Sequence, residues 1–342
     1  MYREITEDIG KTSNKDIFVY LTRVAIRYLT KFFGYRFSSL VMNQFISLYK
    51  LISKRDRFNF PIYIIQINIY RNKCLDFISK GKYVEQISEK KKWANFIIKN
   101  SKDTVAINNA KDYLKLIFNY GSYETILSDS SQKNDNKFYL HGPNSNSNGF
   151  SNHFDYVIVL TKPTNEDISK YKGSILFLNS NYYNKSVLKD NDLKLSLLKK
   201  YDEIYVTCTH SKLEKGFTMI KPMQEFNSGY LSGPMALGRI LKTLQKRYKH
   251  FTCIVEGYDL FLASEPFNSR YPSTLRLKNG GYNERQLCWQ LISHDVLYNF
   301  LYIKKIFESV DIEKSSDFKN IICMTGDEYL ERLFLVRDFS KI

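Results

Sequence analysis

The sequence predicts an α/β fold, an open and mostly parallel sheet with helices on both faces, preceded by an α-helical N-terminal domain. Three observations predict it. From residue 138 onward, short apolar runs recur, and each ends in small polar residues, as buried parallel strands do. Between some of these runs lie segments whose apolar residues fall at helical spacing. Residues 1–130, by contrast, carry mostly helical periodicity, and the turn-rich stretch Ser130–Lys137 (SSQKNDNK) separates the two regions. The expected domains are therefore 1–130 and 137–342, and 342 residues leave room for both.

Charge bounds the partners. Lys and Arg outnumber Asp and Glu by 51 to 35, a formal charge of +16, so the chain is attracted to something anionic. Nucleotide and phosphosugar ligands, an acidic membrane surface and nucleic acid all qualify. The five cysteines, Cys74, Cys208, Cys253, Cys288 and Cys323, are scattered, and no pair has zinc-site or CxxC spacing. Cys208 and Cys253 fall in strand-like runs and read as buried thiols, which suits a reducing cytoplasm. No signal peptide and no apolar run near the length of a membrane span is visible, so a cytoplasmic chain is expected.

In the N-terminal region, Asp16–Phe33 carries Phe18, Leu21, Val24, Ala25, Tyr28, Leu29 and Phe32 at helical spacing. Arg23, Arg27 and Lys31 recur every fourth residue on another face. Such a helix either lies on an anionic bilayer or forms the surface of a bundle, the commoner case. Phe60–Tyr70 (FPIYIIQINIY) fits a strand or a buried helix equally. Two amphipathic helices are expected between Tyr83 and Leu127, with Lys90-Lys91-Lys92 on a solvated face.

The second region opens with Phe138–Leu140, which breaks into HGPNSNSNGF. Phe154–Leu160, Ser174–Leu178 and Glu203–Thr207 follow as strands, ending at Thr161, Asn179 and Cys208. Two Ser-Gly pairs, Ser228-Gly229 and Ser232-Gly233, then precede a helix carrying Met235, Leu237, Ile240, Leu241 and Leu244. A strand, Phe251–Val255, runs into Glu256-Gly257-Tyr258-Asp259. After a long loop rich in Pro and Gly, which reads as a lid, Gln286–Glu308 is expected as a helix containing His294-Asp295. A strand at Asn320–Cys323 and a helix over Gly326–Leu333 close the chain.

In open α/β sheets the ligand sits beyond the carboxyl ends of the strands. That rule gathers Gly142, Asn144, Ser145, Asn179, Ser180, Ser232 and Gly233 around one crevice. A Ser-Gly pair before a helix lets backbone N–H groups approach an anion, and the helix dipole adds positive potential, although Ser232 equally serves as a plain N-cap. His294 at a helix start suits a general base or a structural cap. His141 is either a phosphate contact or a turn residue. Glu256 and Asp259 read as an acid pair or as caps of the loop that follows. No His/Asp/Glu cluster has metal-ligand spacing, so no metal cofactor is expected.

In order, Leu140-His141-Gly142-Pro143-Asn144-Ser145, Phe154-Asp155, Phe177-Leu178-Asn179-Ser180-Asn181-Tyr182-Tyr183 and the block from Ser232-Gly233 to Gly257-Tyr258-Asp259-Leu260-Phe261 resemble motifs of the bacterial sialyltransferase-like enzymes, glycosyltransferase family 42. Ser293-His294-Asp295 stands where that family places its catalytic histidine. The resemblance covers about residues 137–335. It implies a GT-A variant fold and inverting, metal-independent transfer of a sialic acid- or Kdo-like sugar from a CMP donor to a glycan or lipid-linked glycan. It also implies roles. His294 and Asp259 are catalytic; Gly142, Pro143, Asn144, Ser145, Asn179, Ser180, Ser232 and Gly233 bind the nucleotide. Tyr258, Tyr271, Arg270 and Arg285 steady the leaving phosphate, since Phe261 stands where the family has a tyrosine. The acceptor chemistry implies surface polysaccharide or lipooligosaccharide synthesis at the inner face of the cell membrane. Flagellin-modifying glycosyltransferases and pterin pyrophosphokinase-like proteins carry similar loops. A basic nucleic-acid-binding module is the alternative of another class, although no aromatic-basic motif supports it and no nucleic acid is expected.

Overall fold

The computed structural model describes residues 80–101, 104–122, 136–142, 156–161, 174–207, 213–220, 232–248, 250–265, 277, 282–308, 310–312 and 317–341, with residue 73 and scattered positions between 25 and 47. The chain forms two compact units, Met1–Leu114 and Lys115–Ile342.

The helices α1 (Tyr83–Asn100), in the first unit, and α2 (Thr104–Ile117), which runs across the boundary at Leu114, are the two expected before Leu127. Ile87, Trp93, Ala94 and Ile97 recur on one stripe of α1 and are buried, as amphipathic periodicity requires. Lys90 departs from expectation: it is buried rather than solvated, while Lys92 stays exposed and lies 3.5 Å from Glu89. Helical geometry explains it, because Lys90 shares the stripe of Ile87, Trp93 and Ala94. Phe60–Tyr70 lies outside the described residues.

The second unit holds the sheet. Its strands are β1 (Lys137–His141), β2 (Tyr156–Thr161), β3 (Ser174–Asn179), β4 (Tyr201–Thr207), β5 (Thr218–Ile220), β6 (Thr252–Glu256) and β7 (Asp311–Ile312). The order is β5-β4-β3-β2-β1-β6-β7, and every neighbouring pair is parallel. The chain thus walks outward from β1 to β5, then returns to the other side of β1 for β6 and β7. The direction reverses between β1 and β6, which is where an open α/β sheet forms its crevice.

Burial explains the unbroken apolar character of these strands. Phe138–His141 and Ile175–Leu178 are buried without interruption. Tyr139, Leu176, Leu178, Ile204 and Val206 form one core with Tyr182, Tyr183, Val187 and Leu197. The latter four come from α3 (Ser180–Lys185), a following 3-10 turn and α4 (Asn191–Lys200). Side chains alternate along a strand, so Phe138 points the other way. It meets Tyr248 and Phe251 edge-on, with centroids 5.2 and 5.6 Å apart, just beyond α5 (Ser232–Arg247). Cys253 on β6 is buried as expected, and Cys208 lies outside the described residues.

Two expectations fail in the C-terminal third. The helix expected over Gln286–Glu308 is two helices, α6 (Glu284–Ser293) and α7 (Val296–Phe307). The strand expected at Asn320–Cys323 is instead the end of α8 (Asp317–Cys323). Ile321-Ile322-Cys323 is strand-prone by composition, but Phe318 and Ile322, one turn apart, are buried together, with Phe318 against Phe307 at 5.0 Å. Packing of one helical face overrides a weak local preference. The last helix, α9 (Gly326–Val336), starts with a capping box between Thr325 and Glu328.

Candidate functional site

Because every strand runs the same way, all carboxyl ends lie on one edge of the sheet. At the β1/β6 reversal the two chains leave in contact. The Gly142 N–H donates to the Glu256 carbonyl at 2.8 Å, and a Cβ on residue 142 would lie 2.3 Å from the Gly257 carbonyl oxygen. Only glycine fits there. Asn179 ends β3 on the same edge, two strand spacings from β1, or about 10 Å away. Ser180 then opens α3.

Two longer helices begin at this edge. The end of α5 is at the opposite edge, because Tyr248 meets Phe138 at the start of β1. The end of α7 leads to β7, whose Asp311 pairs with Thr252 at the start of β6. Both helices therefore run against the strands, and both start at the carboxyl edge. They also pack against each other. Gly238, six residues after Ser232, lies under Tyr302, six residues after Val296, where a Cβ would sit 2.4 Å from the tyrosine hydroxyl oxygen. Burial pushes the Tyr302 hydroxyl up to about 12, so it stays neutral under the nearby Lys242 ammonium, 5.6 Å above its ring. Two helix N-termini on the same edge both add positive potential there. Ser232 and Gly233 are the first two residues of α5.

The break before α7 is held in a strained form. Asp295 has φ of 50°, the left-handed region, and its carboxylate accepts from the Tyr298 N–H at 3.2 Å. Asn299, itself buried, donates its amide to the carbonyls of His294 at 2.6 Å and Asp295 at 3.0 Å. His294, half-buried, precedes this cap by one residue. A non-glycine residue in this region costs about 1–3 kcal/mol, and it persists only where surrounding contacts over-determine it.

The loop after β6 is strained too. Leu260 and Phe261 have φ of 49° and 70°, and the Asp259 carboxylate accepts from the Phe261 N–H at 2.7 Å. Asp259 thus shapes the loop, as the capping reading expected. Arg337, buried just after α9, grips the same loop. Its guanidinium donates to the carbonyls of Phe261 at 3.0 Å and Ser264 at 3.3 Å, to that of Ala263, and to the Tyr282 hydroxyl at 2.9 Å. Glu284 lies 3.5 Å from it, and Tyr329 donates to the Leu260 carbonyl at 2.9 Å. Tyr258, the expected phosphate ligand, follows Gly257 at the end of β6. Its ring packs on Phe318 at 5.9 Å and its hydroxyl is sealed from solvent.

One polar group escaped sequence reading. The Tyr139 hydroxyl donates to the Glu256 carboxylate across the β1/β6 pair, and His141 lies on the same face with its ring 6.1 Å from that of Tyr139. His141 is the last residue of β1 rather than a turn residue. Tyr139 and Glu256 are 117 residues apart, and only strand register brings them together. Arg285 is exposed in the first turn of α6. Pro143, Asn144, Ser145, Arg270 and Tyr271 lie outside the described residues. Among the described residues, no group of three or more His, Cys, Asp or Glu is placed to hold a metal ion. No protein-family model, curated protein or solved structure matches the chain.

Proposed function

We propose that this chain is an inverting, metal-independent glycosyltransferase that moves a sialic acid- or Kdo-like sugar from a CMP donor to a glycan or lipid-linked glycan. On this reading the sheet is a sialyltransferase-like variant of the GT-A fold. The observation that carries it is the pair of packed helices, α5 and α7, that both begin at the edge where the strand order reverses. Such an edge suits a nucleotide phosphate, and His294 lies two residues before one of the helices.

The acceptor hydroxyl oxygen attacks the anomeric carbon from the face opposite the phosphate. The bond between that carbon and the phosphate oxygen breaks, its electron pair leaving with CMP. The acceptor's proton passes to the neutral imidazole of His294. The helix N-termini, with Arg270, Tyr271 and Arg285 as further candidates, take up the charge that develops on the phosphate. Asp259 and the strained loop it caps orient the site and touch no reacting atom in this scheme.

The test has two arms. CMP raises the thermal unfolding temperature of the full chain, and His294→Ala lowers transfer about 100- to 10,000-fold with CMP binding little changed. Retained turnover in that variant overturns the base assignment. Selective stabilisation by UDP or GDP instead of CMP points to a flagellin-type or other nucleotide-dependent transferase. Stabilisation by heparin or DNA alone points to a nucleic-acid-binding protein.

A further inference from the structure

Every described residue between positions 25 and 47 that has an assigned state is helical. Along it, Tyr28 stacks on Phe32 and Phe33 packs against Phe37, with ring centroids 6.3 and 5.0 Å apart. These four rings, with Leu40 and Phe45, are 43–67% exposed, whereas Ser38 is fully buried. Asn43, Gln44 and Ser47 are exposed as well, so what sets the stretch apart is that its large apolar side chains are left uncovered. Single exposed apolar residues are ordinary, but six gathered on one short segment mark a contact surface.

The segment is also basic. From Arg23 to Arg57 the sequence holds eight Lys and Arg residues against one acid, Asp56. Aromatic rings interspersed with cations match the two layers of an anionic bilayer surface. The rings enter the boundary between headgroups and acyl chains, and the cations pair with lipid phosphates. A second copy of the chain fits poorly, because joining this face to itself would bring two such basic segments together. Among the described residues no helix is long and apolar enough to cross a membrane.

We propose that the exposed rings of Tyr28, Phe32, Phe33 and Phe37 enter the interfacial plane of an anionic bilayer and anchor the chain there. The inference stands apart from the sugar-transfer reading, since neither needs the other. Vesicle co-sedimentation of the full chain tests it. The chain sediments with phosphatidylglycerol-rich vesicles and much less with pure phosphatidylcholine, and raising salt to about 0.5 M weakens it several-fold. Phe32→Ser with Phe37→Ser lowers partitioning about tenfold or more, because each ring buried is worth roughly that factor. The thermal unfolding temperature stays unchanged, since both rings are exposed. Arg23→Gln with Arg27→Gln and Lys31→Gln removes much of the salt-sensitive part. Equal sedimentation of the Phe variant, or no sedimentation with either vesicle, overturns the proposal. So does a concentration-dependent dimer that the Phe substitutions abolish, which would assign the face to a second copy.

Discussion

The two edges of the same sheet are built differently. At the amino edge the contacts are relaxed: Phe138, Tyr248 and Phe251 meet edge-on, and Arg247 makes a two-pronged ion pair with Glu203 at 2.8 and 3.2 Å in solvent. At the carboxyl edge lie Leu260, Phe261 and Asp295, the three non-glycine residues with positive φ among those described. There too Gly142 and Gly257 crowd together and a buried arginine grips a loop. Strain that collects at one edge, and is held there by buried polar contacts, marks where the fold is shaped for something other than its own stability.

Removing the grip is expected to have the largest effect. Arg337→Ala leaves the carbonyls of Phe261, Ala263 and Ser264 without their buried donor and Glu284 without its cation. Urea unfolding should show a loss of about 3–5 kcal/mol. A loss below about 1 kcal/mol would mean that the strained loop holds its shape without the arginine, and the contrast between the edges would fail.

Gly238→Ala comes next. Alanine favours a helix by about 1 kcal/mol, but its methyl group would occupy the space of the Tyr302 ring, so a net loss of about 1–2 kcal/mol is expected. Tyr302→Phe removes the nearest atom and should recover part of that loss in a double-mutant cycle. If the two substitutions instead add independently, α5 and α7 are not locked at this point.

Asp295→Ala should cost about 1 kcal/mol through the lost cap of α7, and Asp295→Gly less, because glycine relieves the left-handed backbone. Equal costs would argue that the break carries no strain.

The smallest effect belongs to the amino edge. The Arg247 guanidinium, bonded to Glu203, holds that carboxyl below the usual 4.5. A carboxyl depressed in the folded state adds stability above its unfolded value, and the gain is lost as pH falls through the folded one. The pair is well exposed, so Glu203→Gln should cost no more than about 0.5–1 kcal/mol at neutral pH and low salt. The two stability curves should converge in acid. A gap that persists there would show that this edge too is more than a surface ion pair.

The site was legible in fragments. Glycine before polar residues marked the turn at Gly142, and the Ser-Gly pair marked the start of α5, because local backbone chemistry writes both into short stretches. His294 stood out as a candidate base, yet Gln286–Glu308 read as one helix straight through it. The left-handed cap at Asp295 depends on Asn299, a polar residue that ordinary helical spacing does not flag. Arg337 was invisible, since its partners lie 53 to 76 residues away.

The sequence by itself determined five of the strands and the helices α1, α2, α5 and α9, along with the parallel character of the sheet. Those features rest on apolar runs, caps and turn residues within reach of one another. Tertiary structure alone decided that β6 lies beside β1, that Ile321 belongs to a helix, and that Tyr139 meets Glu256. It also decided that aromatic residues near position 33 face outward. Register, burial and long-range hydrogen bonds join residues far apart in the chain, and no local pattern encodes which partner will be present.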